Sequence, residues 1–193
     1  MKIMLTGHTS GIGKATYDLL TKQGHDVIGL SRKNGYDINN SEKIINTILK
    51  ENPDMFINNA YSKVSQTYIL KELYDRWKQN KKHIINICSV AATIPEDHPD
   101  YLMEYATEKR NQREFCNKVN FEYSKKYFNI IKCKLTNLNF DYTKTNFKSK
   151  YDKRLYPNLL PEEVAEIILF VISNKNICVR DMSFHSTRKP ELV

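Results

Sequence analysis

Short apolar runs alternate with longer amphipathic segments along the chain, and this alternation restricts the fold more than any other feature. Six runs have the length and composition of strands, at 2–6, 27–30, 55–58, 83–88, 129–135 and 177–184. Five segments have helical periodicity, at 13–23, 41–50, 64–79, 101–127 and 161–173. Strands separated by helices need right-handed crossovers, so the pattern predicts an α/β fold: a doubly wound parallel sheet in three layers, α/β/α.

Composition narrows the class of protein further. The 193 residues suit a single domain over 1–193, and 40% hydrophobic with 27% charged residues excludes a disordered or fibrous chain. The longest unbroken apolar run is the six residues 167–172, whereas a membrane span needs about 20 residues, so we expect no span. The apolar segment near the amino terminus is too short for a secretory signal.

Charge and cysteine usage point to the kind of partner and compartment. The net charge of +8 favours anionic partners such as phosphates or nucleic acid. The four cysteines form no C-x-x-C pair, which argues against a zinc cluster, and we expect no metal site. Unpaired cysteines fit reduced thiols, so we expect a cytoplasmic protein.

A glycine-rich turn follows the first predicted strand. Residues 6–13 read TGHTSGIG and lead directly into a predicted helix. Glycines let the backbone approach a pyrophosphate, and the helix amino terminus supplies free N–H groups. The spacing is T-G-x-x-x-G-x-G, without the Gly-Lys-Ser/Thr end of a nucleoside-triphosphate loop, and a glycine-rich turn without ligand is the alternative. The candidate phosphate-binding residues are Gly7, Thr9, Ser10, Gly11, Ile12 and Gly13.

Further motifs follow in order and together resemble the short-chain dehydrogenase/reductase family, of which this chain would be a shortened member. They are Asn58-Asn59-Ala60, Asn86-Ile87-Cys88-Ser89, Tyr105-x-x-x-Lys109 and the Pro161-Glu162-Glu163-Val164-Ala165 start of a late helix. The resemblance spans nearly the whole chain and implies a Rossmann-like domain that binds NAD(P). Where the family has a glycine after Asn-Asn-Ala, this chain has Tyr61.

Tyr105 and Lys109 are the centre of the predicted chemistry. They are four residues apart, so on a helix they share one face, and a nearby ammonium lowers the pKa of a phenol. The resemblance implies that Tyr105 is the general acid or base, and that Lys109 lowers its pKa and holds the nicotinamide ribose. It also implies that Ser89 hydrogen-bonds the substrate carbonyl. The alternative for Tyr105 and Lys109 is an ordinary exposed helix pair.

The same resemblance assigns the remaining cofactor contacts. Asn59, Ala60 and Tyr61 would line the cofactor with Tyr105 and Lys109. After the second predicted strand the chain has Ser31 and Arg32 where NAD-preferring members carry an acidic residue, and an arginine fork suits a 2′-phosphate. NADP(H) is therefore the expected cofactor, with NAD(H) also allowed. Asp37 and Ile38 resemble the adenine-contacting pair. The alternatives are a solvated basic turn for Arg32 and a turn or capping aspartate for Asp37.

The sequence departs from the family in two places that bear on the proton chemistry and the cofactor site. The family often carries a catalytic asparagine in the helix after Asn-Asn-Ala-Gly, and the equivalent stretch, 63–66, has none; we expect Val64 or Ser65 in its place. Residues 31–36 cannot hold the helix that the family inserts before Asp37, because three helical turns need about 11 residues. The sheet beside the adenine site should therefore be more open.

Two further departures bear on assembly and substrate. The helix after Lys109 continues Arg110-Asn111-Gln112-Arg113-Glu114, so we expect the family's usual dimer interface to be weak, leaving a monomer or a loose dimer. A polar interface is the alternative. After the strand predicted to end at Leu135, the family's Pro-Gly pair is replaced by Thr136, Asn137 and Leu138. We expect residues 139–160 to form the substrate lid, whose basic and aromatic side chains over 142–156 favour an anionic substrate.

The sequence thus predicts an NADP(H)-dependent oxidoreductase that transfers hydride between nicotinamide and a small carbonyl or alcohol. A catalytically weak cofactor-binding regulator or scaffold on the same fold is the second hypothesis. Nucleic-acid binding through 142–156 is a third hypothesis and ranks low, since cofactor phosphates already explain part of the basic charge.

Overall fold

Six parallel strands form one open sheet in the order β2-β1-β3-β4-β5-β6. The computed structural model describes residues 1–125, 132–141, 143, 159–174 and 176–188. The strands are β1 (Lys2–Thr6), β2 (Asp26–Leu30), β3 (Met55–Asn58), β4 (His83–Ser89), β5 (Lys134–Phe140) and β6 (Asp181–Phe184). The predicted α/β class with a doubly wound parallel sheet is confirmed.

Helices cover both faces of this sheet and close two hydrophobic cores. The helices are α1 (Gly11–Lys22), α2 (Ser41–Glu51), α3 (Ser65–Trp77), α4 (Glu104–Lys125) and α5 (Pro161–Ser173). One core joins the sheet to α2, α3 and α4 around Phe56 and Ile84, and the other joins it to α1 and α5 around Leu20 and Ile168. No helix among the described residues is long and apolar enough to cross a bilayer.

Three elements begin three or more residues later than predicted, and the difference at the fifth strand matters most. β5 runs from Lys134 to Phe140 and not over 129–135, so Thr136, Asn137 and Leu138 lie buried inside the strand and do not follow it. The predicted lid therefore cannot begin at residue 139. β6 begins at Asp181 and not at residue 177, and α4 begins at Glu104 and not at residue 101.

The carboxyl ends of β1 and β3 border the crevice where an open α/β sheet binds its ligand, because the strand order reverses there. Between β2 and α2 the chain makes only one turn of 3-10 helix, Arg32–Asn34. This confirms that the segment before Asp37 holds no full helix. β2 is consequently an edge strand of the sheet, beside the predicted adenine site.

A row of polar side chains crosses four strands in register: the buried Asn58, Asn86 and Asn137 and the half-buried Asp181. The amide of Asn58 donates to Asn86 at 3.1 Å, that of Asn86 to Asn137 at 2.9 Å, and that of Asn137 to Asp181 at 2.7 Å. Asp181 also accepts from Arg113 of α4 at 3.0 Å. A buried polar group without a hydrogen bond destabilises a fold, and these bonds reduce that cost. They also join the sheet to the helix that carries Tyr105 and Lys109.

Candidate active site

The glycine-rich turn leaves free donors at the amino terminus of α1. Gly7 and Gly11 have φ angles of +77° and +51°, which favour glycine, and the Gly7 N–H donates to Leu30 O at 2.7 Å. The first helical hydrogen bond runs from Lys14 N to Ser10 O. No described residue accepts a hydrogen bond from the N–H groups of residues 11–13, so they can bind an anion.

Asn59 and Ala60 brace this turn from the end of β3. Thr6 Oγ1 accepts from the backbone N–H groups of both residues at 3.0 Å, and the Asn59 side chain donates to Thr6 O at 2.9 Å. The amide of Asn59 is therefore engaged in holding β1 and β3 together below the turn. These bonds support a role of Asn59 in shaping the phosphate site. They support this role more directly than the cofactor contact that the sequence predicted.

The segment after β2 contains two exposed cations, Arg32 and Lys33, whose side chains bond to no described residue. Ser31 is buried, and its N–H donates to the side chain of Asn34 at 2.8 Å. The side chain of Arg32 is exposed and forms no hydrogen bond or ion pair with the residues that the structure describes, so its guanidinium can pair with a phosphate. Asp37 accepts from Asn39 N at 2.9 Å as a turn aspartate, and Ile38 packs against the α2–α3 core.

Ser89, Tyr105 and Lys109 meet beyond the carboxyl end of β4. The Ser89 hydroxyl accepts from Ala91 N at 3.1 Å and forms a hydrogen bond with Tyr105. Lys109 lies one turn after Tyr105 on α4, and its Nζ is 5.6 Å from the centre of the Tyr105 ring. The structure therefore brings together the three residues that the motifs predicted.

The protonation of this group differs from the expectation. Burial raises the pKa of Tyr105 to about 12, and the hydrogen bond with Ser89 only partly offsets it. Burial lowers the pKa of Lys109 to about 8, while Cys88 and Glu108 act in the opposite direction. The Lys109 ammonium, whose Nζ lies 5.6 Å from the centre of the Tyr105 ring, does not offset this effect of burial on the pKa of Tyr105. At neutral pH the phenol is protonated and the amine is mostly charged.

Tyr61 packs against both of these residues. Its ring meets that of Tyr105 edge-on, with centres 5.0 Å apart, and Lys109 Nζ lies 5.4 Å from the Tyr61 ring centre. Burial raises the pKa of Tyr61, with Glu104 and Glu108 adding to the effect. Where the family resemblance implied a glycine, this chain therefore has a neutral aromatic ring covering the side chains predicted to hold the ribose.

Gln66 is the site residue that the sequence analysis missed. Val64 is 62% exposed just before α3, and no hydrogen bond among the described residues joins Ser65 to Lys109. Instead, Lys109 Nζ donates to Gln66 Oε1 at 2.7 Å and to Ile87 O at 3.1 Å. A signal existed in the sequence, because Gln66 is the one polar residue in a buried stripe that continues at 69, 70, 73, 74 and 77.

The polar residues that follow Lys109 are largely satisfied within the chain. Gln112 is buried and faces the sheet, and Arg113 pairs with Asp181 at 3.0 Å. The guanidinium of Arg110 stacks over the Tyr101 ring at 3.7 Å. Asn111 and Glu114 remain exposed. The predicted lid residues over 144–158, together with residue 142, lie outside the described residues.

Sequence comparison identifies one family. The family model described as "NAD dependent epimerase/dehydratase family" matches residues 3–131, which is more than half of the chain. Among curated proteins, no sequence matches this one.

Solved structures of dehydrogenases share the fold. The 3-alpha-hydroxysteroid dehydrogenase from Pseudomonas sp. B-0831, complexed with NADH, is 18% identical with a TM-score of 0.72, covering 95% of each chain. A short chain dehydrogenase from Burkholderia cenocepacia J2315, in complex with NADP, is 14% identical with a TM-score of 0.74, covering 96% of this chain and 88% of that chain. A 4-hydroxyisoleucine dehydrogenase complexed with NADH is 21% identical with a TM-score of 0.72, covering 95% and 96%. The predicted resemblance is confirmed at the level of the fold.

Proposed function

The chain belongs to the NAD-dependent epimerase/dehydratase family, and on that premise we propose that it is an NADP(H)-dependent oxidoreductase of the short-chain dehydrogenase/reductase type. Its reaction is hydride transfer between the nicotinamide and a small carbonyl or alcohol substrate. The observation that carries this proposal is the meeting of Ser89, Tyr105 and Lys109 beyond β4. The structural neighbours whose names include NADH or NADP support a nicotinamide cofactor.

The described residues fit such a cofactor at four places. The free N–H groups of residues 11–13 suit its pyrophosphate, and the unengaged Arg32 suits a 2′-phosphate, which favours NADP(H) over NAD(H). Asp37 and Ile38 lie on the adenine side, and Tyr105 with Lys109 would bind the ribose. When bound, a nicotinamide supplies or accepts the hydride.

The protein's own contribution is to position the substrate and to move one proton. Ser89 Oγ accepts from Ala91 N and is hydrogen-bonded to Tyr105, so a carbonyl oxygen that enters between the two hydroxyls would accept from both. The Tyr105 phenol is protonated at neutral pH and can give its proton to the same oxygen as negative charge develops there. Lys109 places a positive charge beside that oxygen and supplies an N–H for a ribose hydroxyl. This arrangement favours reduction of a carbonyl.

A cofactor-binding regulator or scaffold on the same fold is the second candidate, and Tyr61 is the observation that favours it. Its ring covers Tyr105 and Lys109, so turnover requires the ring to move or to pack beside the bound cofactor. All four cysteines are free thiols, which supports the cytoplasm as the compartment for either candidate.

Turnover by the Tyr105→Phe variant separates the two candidates. We expect the wild type to oxidise NADPH with some member of a panel of small carbonyls, neutral and anionic. Tyr105→Phe should lose at least about 100-fold in kcat, because general acid catalysis is worth that much, while the Kd for NADPH stays within a few-fold. Tyr68→Phe, an exposed tyrosine on α3, is the matched control and should keep full activity. A wild type that binds NADPH but reduces no carbonyl would favour the regulator.

A further inference from the structure

We propose that Gln66 is a positioning residue that fixes both the location and the charge of the Lys109 ammonium. The inference deepens the proposed function, on which only its kinetic consequence rests. Gln66 is fully buried on α3, and 43 residues separate it from Lys109 on α4. The bond between them is thus a tertiary contact between two helices that pack on the same face of the sheet.

The orientation of the Gln66 amide follows from its partners. Its Nε2 donates to two backbone carbonyl oxygens, Asn58 O at 2.8 Å and Ile87 O at 3.0 Å. A carbonyl oxygen is only an acceptor, so the nitrogen must lie on that side and Oε1 must face the other way. There Oε1 accepts from Lys109 Nζ at 2.7 Å and from Gln112 Nε2 at 3.3 Å. With every donor and acceptor used, this amide cannot rotate without losing four bonds.

Lys109 is held by this amide rather than by an acidic partner. Of its three N–H donors, one goes to Gln66 Oε1 and one to Ile87 O. The rings of Tyr61 and Tyr105 lie on its other side, with centres 5.4 and 5.6 Å from Nζ. One N–H therefore remains for a ligand, on the side of the predicted catalytic tyrosine.

The same contact bears on whether Lys109 is charged. The titratable groups that face it are Cys88 from β4, Glu108 from α4 and the phenols of Tyr61 and Tyr105. Burial holds the pKa of Lys109 near 8, close to physiological pH. An acceptor on a charged donor stabilises the charged form, so losing the Gln66 oxygen must lower this pKa further.

Two substitutions should move the titration of Lys109 in opposite directions. Gln66→Met has nearly the same shape without the acceptor, and we expect the pKa of Lys109 to fall by about one unit or more. Gln66→Glu places a carboxylate against Nζ, and we expect that pKa to rise by at least about one unit. Gln112→Met is the matched control: it removes a buried amide that contacts Gln66 but not Lys109, and should leave the Lys109 midpoint within about 0.3 units.

The measurement is the NMR titration of the Lys109 ε-methylene group, assigned by its disappearance in Lys109→Arg, on the protein without added cofactor. Because it needs no turnover, it tests Gln66 even if the proposed reaction is wrong. If the wild type is active, the alkaline limb of kcat/KM should move with the NMR midpoint, down in Gln66→Met and up in Gln66→Glu. If Gln66→Met does not fold, Gln66→Asn, whose shorter side chain withdraws the oxygen from Nζ, must give the downward shift.

Shifts in opposite directions for the two Gln66 variants, with a stationary Gln112→Met, would establish the proposal. It is overturned if the folded Gln66 variants titrate like the wild type, if both move the same way, or if Gln112→Met moves as far as Gln66→Met. An active wild type with unmoved Lys109 midpoints rejects Gln66 and retains the proposed function. An inactive wild type with opposite shifts rejects the proposed function and retains the role of Gln66.

Discussion

Replacing Asn86 by alanine should destabilise the protein far more than an average substitution. Asn86 is fully buried at the centre of the polar row. Its amide nitrogen donates to Asn137 Oδ1 at 2.9 Å and to Gln112 Oε1 at 3.2 Å. The structure shows no other described donor to either oxygen, so Asn86→Ala leaves two buried acceptors unpaired. Asn58, which donates to Asn86, keeps its second bond to Gln66 O.

The cost follows from counting those acceptors. Each unpaired buried acceptor costs about 1–3 kcal/mol, so the free energy of unfolding should fall by about 2–6 kcal/mol. The lower end applies if a water enters the vacated space and bonds both oxygens. Typical domains are stable by only about 5–15 kcal/mol, so this is a large fraction of the total.

Urea unfolding followed by Trp77 fluorescence and by far-ultraviolet circular dichroism gives this number. Trp77 is the only tryptophan and is buried in the α2–α3–α4 core, so it reports loss of that core. Asn111→Ala, an exposed position on α4, is the control and should change the free energy of unfolding by no more than about 0.5 kcal/mol. A cost for Asn86→Ala below about 1 kcal/mol would refute the reasoning that Asn137 Oδ1 and Gln112 Oε1 depend on Asn86 for their hydrogen bonds.

Three further outcomes are expected. Arg32→Asp should reduce the preference for NADPH over NADH by about 10-fold or more in Kd, while Lys33→Asp changes it little; equal effects would contradict a specific phosphate contact. His83 is half-buried, and desolvation lowers its pKa to about 4, so the unfolded state binds more protons between pH 6.5 and 4. The free energy of unfolding should fall by up to about 3 kcal/mol as the pH falls over that range, and His83→Gln should flatten this loss in urea titrations. Light scattering at micromolar concentration should give a monomer, since Arg113 of α4 is paired within the chain; a stable dimer broken by Asn111→Arg would contradict this.

The order of elements could be predicted because apolar runs and amphipathic helices leave a strong periodic signal. The error at β5 has a physical reason. Both faces of β5 are buried, and one of them carries Asn137 and Asn139, which look like loop residues in sequence. Their side chains bond to each other and to Asp181 of β6. Tertiary hydrogen bonds thus stabilise polar residues inside a buried strand, and no local sequence pattern predicts such bonds.

The candidate site, like the fold, could be predicted only in part from the sequence. Ser89, Tyr105 and Lys109 could be predicted because their spacing is local to one strand end and one helix turn. The apolar stripe of α3 could have indicated that Gln66 is buried, but not its role, which depends on two helices packing so that its oxygen meets Lys109 Nζ. The raised pKa of Tyr105 could likewise not be predicted from the sequence, because burial outweighs the effect of a charge four residues away.

Deuterium transfer tests most directly whether Ser89, Tyr105 and Lys109 form a centre for carbonyl reduction. The protein is incubated with NADPH deuterated at the transferable position of the nicotinamide and with a small carbonyl, and the alcohol is analysed by mass spectrometry. We expect one deuterium in the alcohol with the wild type and at least about 100-fold less product with Tyr105→Phe at equal NADPH occupancy. Equal product from both proteins, or no deuterated product from a wild type that binds NADPH, would contradict the assignment.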